Sequence, residues 1–363
     1  MKLHRIKYFI GWILALINTL CGLGLLFCTY STFLHPKTFP NWSYFGLFFP
    51  VFLIPTLCFA VFWLFFRKRL CLISIAAMIL CSGSIRTYCP INPFQGTPEG
   101  RTIKVMSYNV HSFCKTEGEQ SWDENAIVNY LINSDADIVC LQEAGGLGNA
   151  ARTEIYGLLE QNYPHISTSD SHGCAVLSRF PIISQEKLDY PSESNSSYIF
   201  TILCDQDTIT VINNHMESYK LNDDDKEKYK EILRNIDYHD ESIHMEEDMV
   251  LLESKVAKAT SIRGIQADSI QAFIERCPTR HIIACGDFND SPISYVHRTL
   301  TKTLNDAYTR AGNGPGLSYH RSGMYFRIDN ILISETFDAY NAKVDDSVKE
   351  SDHYPIFCTL EIH

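Results

Sequence analysis

Eight polar residues end, follow or sit within apolar, strand-like runs. They are Asn109 in VMSYNV, Glu143 in DIVCLQEA, His215 in VINNHMES, Asp287 and Asn289 in ACGDFND, Asp329 in RIDNIL, and Asp352 and His353 in ESDHYPI. A packed sheet presents side chains from such places to one common cleft. Carboxylates and amides offer hard oxygen atoms to a divalent cation. Imidazoles beside carboxylates orient and transfer protons. Asp287 and Asn289 are two residues apart, so they face one side if the strand runs on through GDFN. Any one of these residues alone reads as a cap or a turn former; their recurrence in so many runs points to a site.

The elements that must position them alternate. Strands are expected at Ile103–Asn109, Asp137–Gln142, Gly173–Ser178, Tyr198–Cys204, Thr208–Asn214, His281–Cys285, Arg327–Ile333 and Tyr354–Ile362. Helices are expected at Glu124–Ile132 and Ala150–Gln161, and as two helices across Asp223–Glu275 with a break near Tyr238–Ile243. Hairpin-like pairs interleaved with helices predict sheets packed together and covered by helices. Cys140, Cys204, Cys285 and Cys358 lie inside apolar runs and read as small core residues.

Other features read as ordinary. His111, His165, His172 and His281 stand without a motif. Asp223–Asp225 lacks the spaced ligands and glycine of a calcium loop and reads as a solvated helix start. Gly312, Gly314 and Gly316 lack a following Lys-Ser/Thr and read as a turn near the cleft. Arg263 reads as a surface or salt-bridged arginine, and Arg327 as paired locally.

Charge divides the 363 residues sharply. Residues 1–100 carry eight Lys or Arg and one acid, whereas residues 101–363 carry 23 basic and 41 acidic residues. The net of +7 therefore faces a net of −18. A sequence-independent nucleic-acid binder needs a basic face, so nucleic acid is disfavoured as a partner. The basic part holds uncharged apolar runs at Tyr8–Tyr30, Tyr44–Phe66 and Leu70–Ile85. A bilayer core takes about 20 such residues per helix. The first two runs suffice; the third, 16 residues long, reads as a shorter span, with a re-entrant or interfacial helix as the alternative. Lys2, Arg5, Lys7 and Arg67–Arg69 outnumber Lys37 in the intervening loop, which places the N-terminus in the cytoplasm. Three spans then put the chain after Ile85 outside; two would keep it inside. Residues 1–87 read as a transmembrane anchor in the lipid bilayer, 88–100 as a Pro/Gly linker and 101–363 as one large α/β domain.

In order, the motifs are YN, QE, NNH, GDFN, RID and SDH. From Ile103 to Ile362 the chain resembles the DNase I-like endonuclease/exonuclease/phosphatase superfamily, and GCAVLSRFPI also looks like that family's middle strand and turn. The resemblance implies an α/β, four-layer sandwich of two packed β-sheets flanked by helices, with a metal-dependent phosphoesterase site at one rim. An N-terminal bundle of about three transmembrane helices would precede it. The expected cofactor is Mg²⁺, with Mn²⁺ as a substitute. Glu143 is the expected metal ligand, Asn109 supports it, and Asp352 completes a weak or second site. Asp287 would orient or deprotonate the attacking water, and Asn289 would donate to a phosphate oxygen. His353 would act as general base or transition-state stabiliser. Asp329 would orient a histidine, most often His215, which acts near the leaving group or the phosphate.

The chain departs from the inositol polyphosphate phosphatases: Asp290 and Ser291 follow GDFN where that branch has an Arg, and RIDNIL stands in place of a WCDR-like run. It looks closest to bacterial membrane-anchored members with an NNHxES motif, which implies an inner-membrane protein with an extracytoplasmic catalytic domain. The expected function is hydrolysis of a phosphomonoester or phosphodiester, with a lipid or other extracytoplasmic substrate favoured. A nuclease and a non-catalytic binding domain are the alternatives.

Overall fold

The computed structural model describes residues 2–115, 121–169, 173–192, 195–220, 225, 243–321 and 323–363. One six-stranded sheet contains β1 (Thr102–Asn109), β2 (Ile138–Gln142), β3 (His165–Thr168), β4 (Ala175–Ser178), β11 (Phe337–Val344) and β12 (Ile356–Ile362). The other contains β5 (Ile182–Lys187), β6 (Ser197–Cys204), β7 (Asp207–His215), β8 (His281–Asp287), β9 (Asn305–Asp306) and β10 (Asp329–Ile333). Their orders are β11-β12-β1-β2-β4-β3 and β5-β6-β7-β8-β10-β9.

Strand alternation builds the layers. In β1, Ile103 and Val105 enter the core between the sheets, while Met106 and Tyr108 face the helices outside. In β8, Ile283 and Cys285 point inward, and Ile282 and Ala284 point outward. Both faces of these strands are covered, which is why they read as unbroken apolar runs. Helices α6 (Ala126–Asn133) and α7 (Asn149–Leu159) bury Ile127, Leu131, Ile155 and Leu159 on the first sheet. Helices α8 (Ile243–Ile274) and α9 (Tyr295–Leu300) bury Ile270, Ile274, Val296 and Leu300 on the second. Each such side chain contributes about 1.5–3 kcal/mol relative to exposure. The short α10 (Ala307–Ala311) sends Tyr308 into the inter-sheet core. Cys140, Cys204, Cys285 and Cys358 are in that core, and every cysteine is free. The predicted break near 238–243 and the helix before it lie outside the described residues, as do His172, Asp223 and Asp224.

The N-terminal part forms α1 (Lys2–Ser31), α2 (Pro40–Ser43), α3 (Phe49–Phe66), α4 (Lys68–Leu80) and α5 (Ser82–Tyr88). Tyr8–Ser31 and Pro40–Phe66 are each long and apolar enough to cross a membrane; α4 and α5 reach that length only as a pair bent by 68°. The linker is held against the domain. Asn92 Nδ2 donates to the Gly312 carbonyl at 2.7 Å, and the Gly314 N–H donates to the Pro90 carbonyl at 2.9 Å. The Gly-rich turn thus packs on the linker, not beside the cleft as its composition suggested.

Candidate active site

Strand direction gathers the polar residues at one rim. β1 and β2 run parallel, with Asn109 opposite Gln142, so Glu143 follows at the same end. β7 and β8 run parallel, with His215 opposite Asp287. β10 is antiparallel to β8 and begins at that end, with Asp329 opposite Asp287. β12 is antiparallel to β1, so Asp352 and His353 precede it at the same rim. Gly286 permits the close pairing of β7 and β8: its φ is +132°, and a Cβ there would stand 2.0 Å from the Asn214 carbonyl oxygen. His111, Glu143 and Asn289 all take left-handed backbone conformations, strain of the kind that collects at functional sites.

The inner half of the site is buried. His353 Nδ1 lies 2.8 Å from Asp329 Oδ2, and His353 Nε2 lies 3.7 Å from Asp287 Oδ2. Asp287 Oδ2 accepts from Asn109 Nδ2 and Asn289 Nδ2, each at 3.1 Å, and Asp287 Oδ1 accepts from the Asn289 N–H at 2.8 Å. Burial works to discharge the His353 imidazole, but the Asp329 and Asp287 carboxylates outweigh it and hold its pKa up at about 10. Burial pushes the Asp287 carboxyl well above its usual range; the His353 charge opposes this and the Asp329 charge adds to it. Burial lowers the pKa of His215. Among the described residues its Nδ1 has no hydrogen-bond partner, and its Nε2 lies 3.7 Å from Glu143 Oε1 and 4.0 Å from Asp287 Oδ2.

The outer half is more open. Glu143 Oε1 accepts from Asn109 Nδ2 at 3.1 Å, and Glu143 Oε2 lies 3.3 Å from His111 Nδ1. Asp352 Oδ1 lies 3.7 Å from the same His111 nitrogen, and Asp352 Oδ2 lies 3.8 Å from Arg321 Nη1. Burial would raise the Glu143 carboxyl, but the His111 contact, the His215 charge and the Asn109 amide hold it down at about 2. A strongly acidic carboxylate that keeps 37% of its side chain exposed suits a hard divalent cation, as does a second carboxylate, Asp352, nearby. Asn109 turns its amide nitrogen toward Glu143 and gives its oxygen to the His111 N–H at 3.1 Å, so it supports the carboxylate as a hydrogen-bond donor. Asp287, Asp329 and His353 also bring ligand atoms within 4.8 Å of one another, but His353 Nδ1 is engaged with Asp329.

All eight sequence-derived residues therefore meet at one rim, with one pairing corrected. Asp329 holds His353, not His215, because β10 begins beside the segment preceding β12. Three further neighbours carry no motif in the sequence. His111 stands between Glu143 and Asp352, Arg321 reaches His111 Nε2 at 3.0 Å, and the Tyr319 ring stands edge-on to His353 at 5.1 Å. His111 lies only two residues after Asn109, the one sequence signal that could have found it; Arg321 and Tyr319 sit in a loop with none. Arg327 does not pair with Asp329: its Nη2 donates to the Thr87 carbonyl and lies 3.6 Å from Asp306 Oδ2. Arg263 is fully buried, and its Nε donates to Asp290 Oδ2 at 3.2 Å and its Nη1 to the Glu217 carbonyl at 2.8 Å. It ties the NNHMES loop to the GDFND loop.

The family model of the Endonuclease/Exonuclease/phosphatase family matches residues 106–353. A domain of unknown function (DUF8431) matches residues 11–88. No curated protein matches the chain in sequence. Among solved structures, the catalytic domain of human Nocturnin with a bound sulfate anion is similar at 15% identity and a TM-score of 0.50, over 74% of this chain and 97% of that one. An endonuclease/exonuclease/phosphatase from Beutenbergia cavernae shares 17% identity at a TM-score of 0.49, over 72% of each chain. Sphingomyelinase C from Streptomyces griseocarneus shares 16% identity at 0.46, over 71% of this chain and 99% of that one.

Proposed function

The chain belongs to the endonuclease/exonuclease/phosphatase family, and from that premise we propose a membrane-tethered, Mg²⁺-dependent phosphoesterase that hydrolyses a phosphomonoester or phosphodiester. A lipid or another extracytoplasmic molecule is the favoured substrate. Membership supports metal-dependent phosphoester hydrolysis in general. The observation that carries the reading to this site is the Asn109 amide. It donates at 3.1 Å both to Glu143 and to Asp287, and so couples a cation-binding carboxylate to a proton-accepting one.

Glu143 would hold the cation, with Asp352 beside it and Asn109 fixing the Glu143 rotamer. Mg²⁺ bound there would neutralise phosphate charge and stabilise the leaving oxygen; Mn²⁺ can substitute. Asp287, clamped by two amide groups, accepts the proton of the attacking water. His353 has its Nδ1 fixed by Asp329, so Nε2 faces the cleft and donates to a phosphate oxygen as an imidazolium. His215 stands between the two carboxylates, where it attends the leaving group. Asn289 Nδ2 donates to Asp287 and to the Met216 carbonyl, so its amide hydrogens are spent on fixing Asp287 and not on the phosphate oxygen that its motif suggested.

The anchor brings this rim to a membrane surface. The −18 balance of residues 101–363 supports a compact substrate over an extended polyanion. Three spans, with the bent α4–α5 pair counted as the third, would put the rim outside the cytoplasm, as at a bacterial inner membrane. A reporter fused after His363 that is active only in the cytoplasm would refute that orientation. The activity test is a screen of the full chain in detergent with Mg²⁺, and with Mn²⁺ in parallel, against lipid phosphoesters, sugar phosphates, RNA and DNA. Fastest turnover is expected on a lipid phosphoester. Turnover of nucleic acid alone would replace that reading with the nuclease, and inertness toward every class would leave a binding scaffold.

A further inference from the structure

A cavity of about 590 Å³ lies between the N-terminal helices and the catalytic domain, and none of the eight rim residues lines it. Its walls are the end of α1, the 80–87 bend and the 292–310 segment. The junction is close-packed. A Cβ on Gly46 would stand 1.6 Å from the Ile293 carbonyl oxygen, and Ile293 packs in one cluster with Leu25, Phe49, Leu53 and Cys81. Tyr44 donates to Glu253 Oε1 at 3.1 Å, and His35 Nε2 meets Asp268 Oδ2 at 2.8 Å.

The lining is cationic. Arg86, Arg298 and Arg310 reach it, and among the described residues none of the three forms an ion pair. The one lining carboxylate, Asp306, is answered from its own surroundings: Oδ2 meets His297 Nε2 at 3.1 Å and Arg327 Nη2 at 3.6 Å, and Oδ1 accepts from the Tyr308 N–H at 2.8 Å. The Arg298 guanidinium stacks on the Phe33 ring at 3.5 Å. Stacking leaves the in-plane N–H fork of an arginine free for a planar or tetrahedral oxyanion. Tyr30, Phe33 and Leu80 line the same cavity and are exposed. Apolar surface therefore borders the cationic wall where the apolar helices end.

We propose that this cavity binds the phosphate headgroup of an anionic membrane lipid, its acyl chains lying along Tyr30, Phe33 and Leu80. The inference rests on the reading of the N-terminal helices as membrane spans. Arginine at a headgroup depth beside aromatic side chains is the arrangement that recognises such lipids. A free phosphate satisfies the guanidinium groups but leaves the adjoining apolar surface uncovered.

The test uses the full chain in phosphatidylcholine nanodiscs containing graded fractions of phosphatidylglycerol, with lipid retention counted by native mass spectrometry after detergent extraction. Wild type is expected to retain phosphatidylglycerol saturably. The Arg86→Gln/Arg310→Gln variant, altered only at exposed positions, should need about tenfold more of it. Equal retention by the variant would overturn the proposal. Displacement of the lipid by inorganic phosphate at matching concentration would overturn the lipid source. Release of the wild-type chain from membranes by carbonate would instead sink the spanning reading; a chain that stays while its variant retains lipid equally sinks the cavity alone.

Discussion

The two halves of the rim differ in how complete they are. Asp287, Asp329 and His353 are buried and bonded to one another or to clamping amides. Glu143, Asp352 and His111 are only partly buried and Arg321 is exposed; contacts of 3.0–3.7 Å run through the His111 imidazole, and Arg321 also reaches Asp352 directly at 3.8 Å. Packing finishes the buried half, whose geometry follows from the strand register. The other half leaves two carboxylates, Glu143 and Asp352, at an open edge, an arrangement that suits the proposed cation. His215 and Asn109 span the two, each reaching both Glu143 and Asp287.

Removing a member of the buried half should have the largest effect. Asp287→Ala or His353→Ala is expected to lower phosphodiester turnover by about 10³–10⁴-fold while circular dichroism stays native; near-wild-type turnover in either would break the assignment. In the open half, Glu143→Gln should cost roughly 10²–10³-fold. It should also raise the Mg²⁺ concentration needed for half-maximal rate, and an unchanged metal titration would merge the two halves into one. Asp329→Asn keeps the shape but weakens the hold on His353, with an expected loss of about 10–100-fold in kcat and little change in KM. The same substitution would leave turnover intact if Asp329 served folding alone.

Much of the fold was legible because the interior strands announce themselves. β1, β2, β4, β6, β7, β8, β10 and β12 are apolar runs, and all were readable. The strands that escaped are β3, β5, β9 and β11, the four sheet edges. Ile182–Lys187 exposes every residue after Ile182, and Phe337–Val344 is interrupted by a bulge between Tyr340 and Lys343. Edge strands carry polar side chains that blunt further pairing, and so they resemble loops in sequence. The site was legible for the same reason as the interior strands: each of its eight residues is attached to one. His111 and Arg321 lie on irregular backbone, where no period marks them. The partner of Asp329 depends on which element β10 begins beside, a tertiary fact with no local signal.

Smaller effects belong to the scaffold joining the halves. Arg263→Ala strands the buried Asp290 carboxylate and frees the Glu217 carbonyl. Chemical denaturation should show a loss of about 3–5 kcal/mol, with turnover of the folded fraction changed only a few-fold. A larger kinetic loss than stability loss would give Arg263 a part in substrate contact. His111→Gln should shift the apparent metal requirement by no more than about fivefold, since its pairs are partly solvated.

The most direct measurement follows hydrolysis of a generic phosphodiester by the full chain before chelation, after it, and after Mg²⁺ is returned. Wild-type turnover is expected to disappear with the divalent cation and to recover on its return, whereas Glu143→Gln should recover far less. Turnover that survives chelation, or a Glu143→Gln variant that recovers like wild type, would contradict this expectation.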